Sequence, residues 1–104
     1  MPPTSSDQWM TYELPSGFRK AVEGFVRPHS ERLGIEDIRI EPGEDHEGDP
    51  VVYVLMKHRL LDQPIDLKEV IALDRRLRDF AWEKGVRTFV HVRHQYDEKQ
   101  KIAA

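Results

Sequence analysis

Residues 65–94, IDLKEVIALDRRLRDFAWEKGVRTFVHVRH, contain the pattern that decides the fold. The segment predicts an amphipathic helix followed by a turn and a strand. Asp66 offers a side-chain acceptor to the first helical turn, and Glu69 follows three residues later, as in a capping box. Lys84 and Gly85 provide a stop signal. Between these signals the apolar side chains recur at helical spacing, at Val70, Leu73, Leu77, Phe80 and Ala81.

A second helix is predicted upstream, over residues 18–33, where apolar side chains again recur at helical spacing. Ser16 is its predicted N-cap, and Gly34 is its predicted stop. Pro28 has no N–H to donate, and its ring crowds the preceding turn. We therefore expect a kink in this helix, or a restart near Ser30.

Three segments have the character of strands. Residues 35–41 alternate, so Ile38 and Ile40 are predicted to face the opposite side from the charged residues between them. Residues 51–58, VVYVLMKH, are β-branched and aromatic and are apolar on both faces, which is typical of a central strand. Residues 88–96 alternate again and predict the third strand.

The remaining segments define the limits of the domain. A chain of 104 residues has the length of one domain. We predict a disordered tail over residues 1–7, a single α/β domain over residues 8–96 and a frayed C-terminal tail over residues 97–104. Residues 8–14 form either a short first strand or an extended segment that packs against the domain.

This order of elements predicts an α+β fold. The architecture is a two-layer sandwich of ferredoxin-like (β)αββαβ order, with two helices on one face of a sheet of three or four strands. The other face of the sheet is then uncovered, and we call it the open face. It is predicted to present Arg39, Tyr53, Leu55, Lys57, Phe89, His91 and Arg93.

Composition excludes several classes of protein. Hydrophobic residues make up 38% of the chain and charged residues 34%, and the net charge of −3 argues against a nucleic-acid partner held by a strong basic field. The absence of cysteine excludes a disulfide scaffold and thiolate metal sites. The sequence has no signal-peptide pattern and no apolar run of about 20 residues that could span a membrane. We expect a small cytoplasmic protein of bacterial type with no membrane partner.

The open face is the first candidate site. Tyr53, Leu55 and Phe89 would expose a large apolar surface, and such patches mark interaction sites. We predict that a second copy of the chain or another protein docks there. The alternative is a single-stranded nucleic acid, because the face combines aromatic rings with cations. However, the third predicted strand, RTFVHVRH, lacks the consensus of RNA-binding sheets.

Metal binding is a further alternative. The acidic loop 44–49, EDHEGD, offers Asp45, His46 and Asp49 as ligands for a hard cation, although its spacing does not match the twelve-residue calcium loop. His91 is another candidate ligand. His94 lies three residues further on and is predicted to face the opposite side of the strand, so the two histidines would chelate poorly.

Catalysis is not predicted. The sequence has no cysteine nucleophile, no glycine-rich phosphate loop and no G-x-S-x-G elbow, and no cofactor is expected. The charged residues of the helix over 67–83 are predicted to form a solvated face, with ion pairs such as that between Asp74 and Arg78.

The segments IEDIRIE, VVYVLMKH, IDLKEVIALDRRL and TFVHV resemble the cytoplasmic domain of cation diffusion facilitators over about residues 20–95. That family typically shows a histidine in the first strand, one in the helix and one near the end of the last strand. His91 matches the last of these positions, whereas Glu36 and Ile71 stand at the other two. The resemblance implies an αββαβ fold and dimerisation. It does not imply an inherited metal site.

Overall fold

The computed structural model describes residues 14–104. The tail predicted over residues 1–7 and all but the last residue of the possible strand over residues 8–14 lie outside the described part. The α+β class is confirmed, with two helices, a mixed three-stranded sheet and a small two-stranded sheet. The elements are α1 (Phe18–Leu33), β1 (Ile35–Glu44), β2 (Pro50–His58), β3 (Ile65–Asp66), α2 (Leu67–Glu83), β4 (Phe89–Gln95) and β5 (Ile102–Ala103).

Glycines stand at both ends of α1. The N-cap is Gly17 with a φ of 75°, so the predicted Ser16 cap is wrong by one residue. The helix passes through Pro28 and does not restart at Ser30. Gly34 ends it with a φ of 70°, and a Cβ added there would lie 2.9 Å from the backbone oxygen of Arg59. Only glycine allows both this backbone conformation and this close approach.

The main sheet has the strand order β1-β2-β4. Strand β2 is central, as predicted, and pairs antiparallel with β1 and parallel with β4. A register shift between Ile35 and Asp37 interrupts the first pairing. Because β4 is hydrogen-bonded directly to β2, the described sheet has no strand between them. In the ferredoxin-like plan a first strand occupies that position, so the ferredoxin-like order is not confirmed.

The start of α2 follows the sequence signals. The side chain of Asp66 accepts a hydrogen bond from the backbone N–H of Lys68, which confirms the predicted N-cap. Glu69 forms an ion pair with Arg32 of α1 at 2.7 Å. Residues 102–103, predicted as part of a frayed tail, pair instead with β3 as strand β5.

The core lies between the two helices and one face of the main sheet. The predicted stripes of both helices pack there, buried except for the partly buried Phe25 and Phe80, together with the inward residues of β2, Val52, Val54 and Met56. The rings of Phe25 and Phe80 stack at 4.6 Å and join α1 to α2. Neither helix within residues 14–104 has the length and apolar character needed to cross a membrane.

Candidate functional site

All seven residues predicted for the open face lie on one side of the main sheet. The strand register places Leu55 between Arg39 and Arg93, and it places Tyr53 beside His91. Within residues 14–104, both helices pack on the opposite side. The open face is therefore a three-strand surface whose cross-strand neighbours come from distant parts of the chain.

Three rings form a continuous row on the open face. Tyr53 stacks on His91 with ring centroids 5.4 Å apart, and His91 meets the edge of Phe89 at 4.6 Å. The Tyr53 hydroxyl donates to the backbone carbonyl of Glu44 at 3.0 Å, which fixes that end of the row. Phe89, at the other end, is 55% exposed. The row thus ends in an accessible apolar side chain.

Guanidinium groups flank the ring row. Arg93 lies over Tyr53 at 5.0 Å from the ring centroid, and Arg78 of α2 reaches Phe89 at 5.5 Å. Both distances allow cation–π attraction. Arg39, Leu55, Lys57 and Arg93 line a shallow depression of about 490 Å³ in the same face. The face therefore combines apolar, aromatic and cationic groups.

The exposed apolar surface continues past the edge of β4. Trp82, at the end of α2, is 58% exposed, and the guanidinium of Arg87 stacks over it at 3.9 Å. Trp82 and Phe89 line one depression of about 390 Å³. Two large aromatic side chains are thus accessible side by side at the edge of β4.

The acidic loop has a local structural role. One carboxylate oxygen of Asp45 accepts hydrogen bonds from the backbone N–H groups of Glu47 and Asp49, both at 2.9 Å. These bonds, the one from Asp49 above all, lower the pKa of Asp45. Asp45, Glu47 and Asp49 each place one oxygen within 4.8 Å of the others. His46 is exposed in the same turn. The carboxylate of Asp45 is already used in closing the hairpin.

A polar network lies on the opposite side of the sheet, among the core residues. His58 Nδ1 is 2.6 Å from the backbone oxygen of Leu33. His58 Nε2 is 2.7 Å from His94 Nδ1, and His94 Nε2 is 2.8 Å from a carboxylate oxygen of Asp74. We call His58, His94 and Asp74 the buried histidine network. It joins β2, β4 and α2 and ends at the last residue of α1.

Burial determines the acid–base behaviour of this region. His58 is 3% exposed, and loss of hydration lowers its pKa. The hydrogen bond to Leu33 acts in the opposite direction and raises the pKa of His58. The charge of nearby His94 lowers this pKa further, and the charge of Asp74 raises it. The ring of Tyr96 lies 4.4 Å from that of His58. Burial, followed by the charge of Asp74, raises the pKa of Tyr96.

The sequence patterns did not predict the buried histidine network. Strand alternation correctly placed His94 opposite His91, but Asp74 was predicted to form a solvated ion pair with Arg78. In the structure Asp74 contacts His94, and Arg78 donates to the backbone oxygen of Val90. One signal was available: His58 and His94 continue the inward alternation of their strands at the same end of the sheet.

Three residues stand where the cytoplasmic domains of cation diffusion facilitators typically have histidines, and these residues do not lie close to one another. His91 lies on the open face, whereas Ile71 is on the outer surface of α2 and is 50% exposed. Glu36 is an exposed residue at the register shift of β1. Comparison of the chain with known protein families, with curated proteins and with solved structures found no match.

Proposed function

We propose that the protein is a non-catalytic binding module that self-associates through the open face. The observation that carries this proposal is the exposed end of the ring row, where Phe89 and nearby Trp82 leave two large aromatic side chains in water. Aromatic and arginine side chains dominate the binding energy of protein interfaces. Burying such a patch against a partner gains hydrophobic free energy at little conformational cost, because the rings are already held in place.

The charge arrangement favours a second copy as the partner. On the open face, Asp37, Arg39 and Glu41 of β1 carry a net charge of −1 at one edge of the sheet, whereas Arg93 lies on β4, at the other edge. A twofold axis parallel to the strands would place β1 of one copy over β4 of the other. Acidic groups would then face a basic group twice, as an isologous interface requires.

The resemblance to the cytoplasmic domain of cation diffusion facilitators supports the same proposal, since it implies dimerisation. The trimmed αββαβ plan, without a first strand, is the form of the ferredoxin-like fold that we propose for residues 18–95. We propose no metal function from the resemblance, because only His91 matches its ligand pattern.

Sedimentation velocity over a concentration series tests self-association. We expect the wild-type protein to sediment as a dimer at high concentration. The double variant Leu55→Asp with Phe89→Asp should sediment as a folded monomer, because four carboxylates would be brought together in a twofold interface. Ile71→Asp is the matched control, since Ile71 is as exposed as Phe89 but lies on the outer surface of α2.

Two results would contradict the proposal. The first is a wild-type protein that stays monomeric at the highest concentration. The second is a dimer that survives the double substitution or that dissociates equally in the Ile71→Asp control. Circular dichroism of each variant separates loss of association from loss of folding.

Single-stranded nucleic acid is a second candidate partner, favoured by the ring row and its flanking guanidinium groups. Bases stack on exposed rings, and phosphates meet cations such as Arg93 and Lys57. Fluorescence anisotropy of a labelled single strand tests this candidate. We expect binding that weakens steeply as salt increases and that is lost in Phe89→Ala, which should still dimerise weakly. Absence of binding at low salt would remove this candidate.

A further inference from the structure

The buried histidine network has two ends that accept hydrogen bonds. The backbone carbonyl of Leu33 can only accept, so His58 Nδ1 must carry a proton to make the 2.6 Å bond. At the other end an ionised Asp74 can only accept, so His94 Nε2 must also carry a proton. The contact of 2.7 Å between the two rings needs a third proton, on one nitrogen or the other.

Three hydrogen bonds therefore require three protons. Two neutral imidazoles carry only two, because each has one N–H and one acceptor nitrogen. With two protons, one contact of the network would bring two acceptors together at hydrogen-bond distance. Inside a protein such an unmade bond costs more than it would in water.

We propose that His58, His94 and Asp74 form a proton-binding site, which holds one proton beyond those of two neutral histidines and which links the stability of the fold to pH. The extra proton resides on His94, because that ring alone contacts the carboxylate of Asp74. Release of this proton breaks one of the three contacts and loosens the junction of β2, β4 and α2.

The groups around the site come from four elements and from the depression of about 490 Å³, which His94 lines together with Asp37, Arg39, Lys57 and Arg93. Asp74 is the charged group contributed by α2, His58 the titratable group contributed by β2, and Tyr96 follows His94 at the end of β4. From α1 the contact is the Leu33 carbonyl, while Arg32 points outward to Glu69. The side chains of His94 and Asp74 are 8% and 16% exposed. The carboxylate and the extra proton thus neutralise each other away from water.

The direction of the pH effect follows from the count of protons. In the unfolded chain the two histidines together carry about one proton beyond the two of their neutral forms near pH 6.5, and less above it. The folded network retains its extra proton to higher pH, so the folded state binds more protons than the unfolded state there. The contribution of the extra proton to stability is then fully present below about pH 6.5 and is lost as the pH rises through the value at which the network releases that proton.

The substitution Asp74→Asn isolates the extra proton. The amide of Asn can donate to His94 Nε2, and His94 Nδ1 can then donate to His58 Nε2, so two neutral imidazoles complete all three bonds. This variant has no extra proton to lose. Asp79→Asn is the matched control, because it removes the same charge from an exposed position of α2.

Urea unfolding between pH 6.5 and 9, in buffer with EDTA, gives the test. For the wild type and Asp79→Asn we expect the unfolding equilibrium constant to rise with pH, by at most about tenfold per pH unit for one proton. In Asp74→Asn this rise should be absent or much smaller. An equal rise in all three proteins overturns the proposal. A wild-type constant that does not rise with pH over this range also overturns it.

Nitrogen NMR of the histidine rings gives an independent readout on the wild-type protein and does not depend on the folding of any variant. At pH 6.5 we expect His94 to be protonated at both ring nitrogens, while His58 is protonated at Nδ1 alone. Two singly protonated rings at that pH would overturn the proposal.

Discussion

His91 and His94 belong to the same strand but meet opposite environments. His91 lies in the ring row of the open face, between Tyr53 and Phe89, and is partly accessible. His94 points into the helix-covered side, where Asp74 and His58 satisfy both of its ring nitrogens. Alternation along one strand thus places one histidine on the open face and the other in the core. The two faces of the sheet should respond differently to the same kind of substitution.

The largest contrast is expected for neighbouring residues of β2. Met56 is 1% exposed and packs in the core, whereas Leu55 is half-buried on the open face. Met56→Ala should lower the free energy of unfolding by about 3 kcal/mol, because it removes buried apolar volume and leaves a cavity. Leu55→Ala should cost less than about 1 kcal/mol in the monomer. Urea unfolding at low protein concentration measures both, and equal losses would contradict the assignment of the two faces.

The next largest effect is expected at the carboxylate of the buried histidine network. Asp74→Ala leaves His94 Nε2 without its partner in a largely buried site, and we expect a loss of about 2 kcal/mol in the free energy of unfolding. Asp74→Asn should lose less, since the amide can still form a hydrogen bond. Similar losses for both substitutions would show that the contact itself contributes little.

Acid should destabilise the covered side through His58. Its folded-state pKa is lowered, so the unfolded chain takes up that proton first as the pH falls. The contribution of a neutral His58 is fully present above about pH 6.5 and is lost as the pH falls toward the lowered folded value, by at most about 1.4 kcal/mol per pH unit. Urea unfolding between pH 4.5 and 6.5 measures this slope. It should shrink in His58→Gln and persist in His46→Gln, and an unchanged slope in His58→Gln would refute the assignment.

The smallest effect is expected for an ion pair on the open face. Arg39 and Glu41 are 2.9 Å apart, but their side chains are 63% and 46% exposed. Water and salt screen such a pair, so Arg39→Ala should change the free energy of unfolding by about 0.5 kcal/mol or less. A loss comparable to that of Asp74→Ala would mean that Arg39 has a structural role on the open face.

Local signals in the sequence were sufficient for most elements of the fold. Asp66 caps α2 through a bond to the next turn, and the alternation of β2 and β4 assigns every side chain to a face, because both effects involve neighbouring residues. The pairing of β5 with β3 was missed, since two residues carry too little pattern to predict a strand. Its position depends on Gln100, whose side chain bonds Leu61 and Gln63, both far away in sequence.

The two candidate sites also differ in whether the pattern of neighbouring residues is enough to predict them. The open face could be predicted because the alternation of each strand defines it without reference to the rest of the chain. The buried histidine network could not, because Asp74 follows Leu73 on a helix whose rotation against the sheet decides whether a carboxylate meets water or His94. Helical periodicity alone cannot distinguish the border of an apolar stripe from its solvated flank.

The span of the buried histidine network has a consequence for the order of folding. Its three contacts join residues 25, 36 and 20 positions apart, so the network is complete only when α1, β2, α2 and β4 have all assembled. The hairpin of β1 and β2 closes over a shorter loop and should form in the transition state. The network would then act after the rate-limiting barrier, and weakening it should accelerate unfolding while leaving the refolding rate nearly unchanged. Its three side chains would thus determine how long the folded state persists more than how quickly it forms.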